Sequence, residues 1–294
     1  MRTLLLSVSF LFCTMFLHAQ TDPFAALDSG MKSEPEYATA TFKGTRLINF
    51  QTVETPGKNT LDFRISHRFG DYSTGLNNLY GLDGPANLWL GLDYSPDGRL
   101  VVSVGRVNIE KLITSGLKYK LFRQSLHGWK SPFTVTLLAD WNITTIPAAS
   151  ATYTDEFHYT TDRFNFTYQA MIARKFNERF SLQISPTMIH YNEVIAISDK
   201  NDIYALPVLA RYKFSRSVAV TAEYGFRINK YSPTNTYQNV AGIGFDIETG
   251  GHVFQVFVTN AVGIAESQTL PFTTQSWSKQ QFRLGFNISR MFSF

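Results

Sequence analysis

The sequence predicts an all-β protein, a closed antiparallel transmembrane up-and-down β-barrel of about 12 strands (12–14). Three observations predict it. From about residue 60 to the end, segments of about nine to twelve residues alternate apolar and polar positions, the length a tilted strand needs to cross a bilayer. The links between these segments alternate between short and long. No stretch after Leu17 is apolar enough to form a transmembrane helix, so a membrane crossing requires a closed sheet in which every backbone group is paired.

The amino terminus reads as a secretory signal over residues 1–20. Arg2 precedes an apolar run from Leu4 to Leu17, and Ala19 and Gln20 mark the cleavage point. Cys13 is preceded by Phe12 inside the apolar run, which speaks against lipidation. It is the only cysteine, so the processed chain has no disulfide or cysteine metal site. Residues 21–44 contain Pro23, Gly30 and Pro35 without periodicity and are expected to form a periplasmic lead-in, with a short helix near Phe24 to Asp28. The barrel is expected over 45–294.

The alternating segments follow in order. Leu61, Phe63, Ile65 and Phe69 oppose Asp62, Arg64, Ser66 and Arg68. Leu88, Leu90, Leu92 and Tyr94 oppose Asn87, Gly91 and Asp93. Phe133 to Trp141 and Phe164 to Ile172 repeat the pattern, as do Val218 to Ile228 and Ile243 to Ile247. The final segment sets Phe282, Leu284, Phe286 and Ile288 against Arg283, Gly285, Asn287 and Ser289, and resumes at Phe292 and Phe294. Period two means that one face meets an apolar medium and the other a polar one.

Short links stand at 95–98, 175–179, 215–217 and 249–251, with the Pro, Asp and Gly that suit tight hairpins. Longer polar links stand at 70–85, 144–162, 191–202, 231–238 and 261–278. Membrane barrels sort short turns to one end and long loops to the other. Roughly thirteen candidate strands can be counted from Thr45, an odd number where an even one is expected. Thr45 to Val53 is the weakest, its faces mixing Leu47 and Val53 with Asn49 and Gln51, and its removal gives twelve. Trp89, Tyr94, Trp129, Trp141, Tyr212, Tyr224, Tyr231 and Trp277 fall near the expected water boundaries, where amphipathic rings settle.

Composition agrees. Aromatic residues are 15% and charged residues only 17%, against about 25% charged in soluble domains. Removing Arg2 with the signal takes the formal charge from +4 to +3; with no basic cluster, no nucleic-acid partner is expected.

Two resemblances add to this reading. The terminal strand, closing on Phe294, resembles the closing strand of bacterial outer-membrane β-barrels; this implies an outer-membrane location, Phe294 as an assembly signal, and the barrel-assembly machinery and outer-membrane lipid as partners. The stretches Ala40–Asn49, Gln51–Glu54 and Leu61–Gly70, with Leu79–Asp83 and Leu117–Gln124, resemble an uncharacterised outer-membrane β-barrel family of Bacteroidota. That resemblance implies fold and location. It carries no substrate and no site residues.

A search for chemistry finds little. His67, His127, His158, His190 and His252 have no metal-site spacing, and no cofactor or metal is expected. His158 and His190 stand two residues before Thr160 and Asn192, a loose approximation to the histidine–serine pair of an embedded lipid hydrolase. More informative are the charges that alternation places inward: Arg64, Arg68, Asp93, Arg106, Lys118, Lys120, Asp140, Arg211, Lys213, Glu223, Arg227, Asp246, Glu248 and Arg283. Two readings stay open. The charges pair across a narrow lumen, or they line a wet passage and set its selectivity. The leading function is non-enzymatic, a narrow pore or transport barrel for small polar solutes. The alternative is a plugged structural or interaction barrel that binds a partner through outer loops such as 144–162 and 261–278, and an embedded lipid hydrolase stands third.

Overall fold

The computed structural model describes residues 36–126, 131–147, 157–194, 200–229 and 236–294. The expected signal, the helix near 24–28, Trp129 and Tyr231 lie outside the described residues, as does the middle of the 144–162 loop, residues 148–156.

Thirteen β-segments follow in chain order among the described residues. They are β1 Thr60–Arg68, β2 Asn87–Ser95, β3 Leu100–Val107, β4 Leu112–Phe122, β5 Thr134–Thr144 and β6 Phe164–Lys175. Then come β7 Phe180–Ile184, β8 Thr187–Tyr191, β9 Asp202–Lys213, β10 Val218–Arg227, β11 Val240–Thr249, β12 His252–Thr259 and β13 Arg283–Ser293. Each pairs antiparallel with its neighbours, and β1 pairs with both β2 and β13, which closes the sheet.

The segments β7 and β8 are one wall strand. Both lie between β6 and β9, and the register carries through without a shift, from Ile172↔Ile184 to Gln169↔Thr187. Pro186 interrupts it because proline brings no N–H to the ladder. The wall therefore has twelve strands, an even number. Thr45–Val53 is the candidate that leaves the wall, as its poor alternation suggested.

Burial follows the sequence pattern strand by strand. In β1, Thr60, Asp62, Arg64, Ser66 and Arg68 are buried while Phe63 is exposed. In β11, Val240, Gly242, Gly244 and Asp246 are buried while Ile243, Phe245 and Ile247 face outward. The polar side of each strand faces the lumen and the apolar side forms the outer surface. That polarity is inverted from a soluble barrel and fits a lipid exterior.

The tight turns behave as their residues dictate. At Ser95–Leu100, the backbone N–H groups of Arg99 and Leu100 donate to Asp97 Oδ1 at 2.8 and 2.7 Å, holding that carboxyl below its ordinary range. Gly98 takes φ +82°, which favours glycine. Loop sorting has one exception at each end. Residues 108–111 make a brief link at the long-connection end, and 123–133 make a longer one at the short-turn end.

Residues 36–59 enter from the short-turn end, where Tyr37 bridges to Ser125. They run up the lumen, turn at Ile48 and Asn49, and return to β1. The bonds Leu47 N–H to Phe50 O and Thr52 N–H to Thr45 O, both 2.9 Å, close this hairpin. The lead-in expected over 21–44 is thus corrected at its end: Phe42 is 1% exposed, inside the barrel.

From the other end, residues 260–273 fold inward and place the short helix α1, Glu266–Phe272, in the lumen, while 274–282 return along the outside to β13. Its residues Glu266 to Pro271 are all buried. A barrel of eight strands is filled by its own side chains; twelve leave room for more chain, and these two insertions occupy it.

The hairpin buries Phe42, Leu47, Ile48, Phe50 and Val53 against inward residues of β5, β6, β8 and β9, among them Leu138, Met171, Ile189, Ile203 and Leu209. At about 1.5–3 kcal/mol per large apolar side chain, this burial is on the order of 10 kcal/mol as an upper estimate. The substitution Phe50→Ala should cost about 3–5 kcal/mol and Leu47→Ala about 2–5 kcal/mol of unfolding free energy. Urea titration of the vesicle-embedded protein, followed by gel mobility, measures it. A loss below about 1 kcal/mol for both would show that the hairpin is not part of the core.

Candidate functional site

The lumen is where the charged residues meet, and the hairpin explains their positions. A chain segment inside a barrel has no neighbouring strand, yet its backbone N–H and C=O groups still need partners. Wall side chains supply them. Glu223 on β10 accepts from the N–H of Ile48 at 3.2 Å and of Asn49 at 2.8 Å, capping the turn. Gln183 on β7 accepts from Val53 N–H and donates to Gln51 O, both at 2.8 Å. Thr136 on β5 donates to Val53 O at 2.9 Å, and Asn287 on β13 donates to Leu47 O at 2.9 Å. Lys118 on β4 donates to Thr45 O and Gln51 Oε1, both at 3.2 Å.

The two insertions meet. Gln51 N–H donates to Glu266 Oε1 at 2.5 Å, and Arg46 donates to Ile264 O at 3.4 Å. Arg68 on β1 donates to Gly263 O of the inward loop and to Asn49 Oδ1 of the hairpin, so one guanidinium spans both. Arg227 donates to Pro271 O and lies 4.1 Å over the Tyr237 ring.

Ion pairs complete the set. Arg64 binds Asp62 at 3.0 Å with both side chains almost fully buried. Asp62 stands opposite Asp93 in the β1–β2 ladder, and the Thr45 hydroxyl lies 3.3 Å from a carboxylate oxygen of each. Arg211 binds Glu248 at 2.8 Å and Asp246 at 3.6 Å, and Lys43 of the hairpin joins Glu248 at 3.0 Å. Lys120 pairs with Glu54 at 3.3 Å, while Arg283 reaches Asp71 at 3.7 Å.

Of the charges placed inward by sequence, thirteen of the fourteen do face the lumen, Lys213 at a strand end with half burial. Arg106 is corrected. It stands opposite Leu90 on the outer face and is exposed. Near the end of β3 its guanidinium reaches Lys111 O and Thr145 Oγ1 at 2.5 and 2.9 Å, so the charge is met by loop groups rather than by lipid.

Trp89 is corrected in the opposite sense. It is 5% exposed and lies inside, over Gly91 and Gly105, where any Cβ would strike its ring. Its Nε1–H donates to Thr114 Oγ1 at 3.2 Å and Arg46 stacks on it at 5.1 Å. Tyr94, Trp141, Tyr212, Tyr224 and Trp277 are exposed. His190 lies beside Asp202 with Nδ1 and Oδ1 2.7 Å apart, and His67 stacks on Phe286 on the outer face.

Neutral side chains carry as much of this site as charges do. Gln183, Gln255, Asn287 and Thr136 were not singled out from the sequence, although their inward positions in alternating strands were the available signal. A cavity of about 20 Å³ lies between the insertions and the wall strands β2 to β6, bordered by Arg46, Asp93, Asp140, Thr167 and Glu266, room for about one water.

This geometry defines a membrane-bound β-barrel whose lumen is filled by its own chain. The chain belongs to the family described as Membrane bound beta barrel domain (DUF5777), which matches residues 42–292. No curated protein matches it in sequence. Solved structures similar to it include the KdgM porin, with 9% identity over 79% of this chain and 99% of that one and a TM-score of 0.45. The Acinetobacter baumannii outer membrane protein Omp33 is similar at 10% identity, 82% and 100% coverage and a TM-score of 0.44. A mutant Rh. blastica porin is similar at 12% identity, 70% and 55% coverage and a TM-score of 0.32.

Replacing Glu223 tests the capping role. Glu223→Leu leaves the Ile48 and Asn49 N–H groups buried without acceptors and should cost about 1–3 kcal/mol, with faster hydrogen exchange at both amides. Glu223→Gln keeps an acceptor oxygen and should exchange more slowly than the leucine variant. Equal protection in all three forms would remove Glu223 from the site.

Proposed function

We propose that this protein is an outer-membrane barrel closed by its own sequence, acting as a scaffold that presents its long connections to a partner, without catalysis. The observation that carries this is the five apolar hairpin side chains sealed against the wall, together with the Gln51–Glu266 contact that joins hairpin to α1. A plug held only by exchangeable polar contacts could give way to water. One with an apolar core of this size favours permanent closure.

A second reading, a passage for small polar solutes that is shut at rest, draws on a specific feature. The arc from β1 through β5 faces the hairpin with charge: Arg64, Arg68, Asp93, Lys118 and Asp140. Withdrawal of the hairpin toward the short-turn end would leave that arc as a hydrated path.

Conductance across a planar bilayer separates the two. The intact chain is expected to be silent at all voltages. Replacing residues 42–53 by a flexible linker should produce steady conductance if the barrel still folds, as checked by gel mobility. Reproducible voltage- or solute-dependent opening of the intact chain would overturn permanent closure and establish the gated passage.

A further inference from the structure

The connection between β1 and β2 is expected from its position to be a solvated loop, and its side chains do not fit that. Residues 72–82 contain no charged residue, in a chain where charged residues are 17%. Five large apolar or aromatic side chains in this stretch are open: Leu76 is 75% exposed, Leu79 51%, Leu82 47%, Tyr80 44% and Tyr72 38%.

The segment is also firmly built. Gly70 N–H donates to Gly81 O at 2.8 Å, and the two glycines are packed so closely that a Cβ on Gly81 would enter the Gly70 backbone. Asp71 caps the turn by accepting from Ser73 N–H at 2.9 Å. Leu79 and Tyr80 hold φ of +46° and +54°, a conformation rare for side chains of this size. A built structure with strained residues keeps its leucines outward.

An aromatic series connects this loop to the outer face of the wall. Tyr80 stacks on Tyr72 at 4.9 Å, Tyr72 on Phe282 at 4.7 Å, and Phe282 on Trp277 at 5.1 Å. The backbone follows the same line, Tyr72 N–H donating to Phe282 O and Phe69 N–H to Leu284 O. Below, Phe69, His67 and Phe286 form the next ring cluster on the outward side of β1 and β13. The two ring clusters stand one above the other along the β1–β13 pair, joined by these backbone bonds.

We propose that residues 72–82 are a membrane-interface anchor, seated in the headgroup and upper acyl region of the leaflet at the long-connection end. The occupant is bilayer lipid. Rings with one polar edge and an absence of charge suit that layer, and the loop's apolar surface is continuous with the wall that lipid covers. A saccharide-binding platform is the other use of stacked rings; it would leave the leucines in water.

Spin-label accessibility decides it. A nitroxide is placed at Leu76→Cys or Leu79→Cys in the full chain, in a background with Cys13→Ser, which removes the sequence's single cysteine. The protein is folded into phosphatidylcholine vesicles, with folding checked by gel mobility. Labels at Val104→Cys on the outer wall and Asp97→Cys in a short turn give the lipid and water references. The anchor predicts that both loop labels collide with dissolved oxygen in preference to a water-soluble nickel chelate, as at Val104. Chelate-dominated collision as at Asp97 overturns it, and protection from the chelate on adding soluble oligosaccharide would then identify the platform.

Discussion

Backbone inside a closed barrel has no strand to pair with, and that constraint organises the interior of this protein. Residues 42–53 bring their N–H and C=O groups into a lumen whose wall has already used its own on the ladders. The acceptors and donors are therefore side chains: Glu223, Gln183, Thr136, Lys118, Gln255 and Asn287. Inward charge in this barrel is mainly directed to a guest segment. Only a part of it pairs wall to wall, as Arg64 with Asp62 and Arg211 with Asp246. Both readings of the charges drawn from sequence treated the lumen as bounded by wall alone, and the third participant changes what each charge is for.

The hairpin also divides the lumen into unlike halves. Toward β5, β6, β8 and β9 it meets Leu138, Met171, Ile189, Ile203 and Leu209 in an apolar cluster. Toward β1, β2 and β4 it meets Arg64, Asp93 and Lys118. Apolar burial is non-directional, whereas the polar contacts fix the register of the hairpin, because each bond requires one donor at one height. Small residues make the room: with Gly91 and Gly105 beneath it, Trp89 can lie flat against β2 and β3 and still leave its face to Arg46.

Much of the wall is legible in the sequence because period two reports directly which face meets lipid. Leu61 to Arg68 and Ile243 to Glu248 alternate in burial as they alternate in hydropathy. The weak alternation of Thr45–Val53 reflects a segment surrounded on all sides, where no lipid face exists to sort residues. Alternation fails at strand ends, since an outward Arg106 can reach loop carbonyls and an inward Trp89 looks like an interface ring. It is also silent about depth and partners, so Glu223 is visible as inward but not as a turn cap.

The positions of the two insertions in the chain tie closure to filling. The hairpin immediately precedes β1, and the inward loop with α1 immediately precedes β13; these two strands form the seam where the sheet closes. Phe294 N–H donates to Asn59 O at 3.0 Å, continuing that seam into the stretch that leads from the hairpin. Arg68, on the seam strand β1, then bonds the hairpin at Asn49 and the loop at Gly263. Each insertion is thus tethered at its base to a strand that must pair for the barrel to close. A twelve-stranded wall without them would enclose Arg68, Glu223 and Lys118 with their present partners missing. The side chains that make the wall's inner face polar are the same ones that require the lumen to be occupied, so wall composition and plug are one design feature of this sequence.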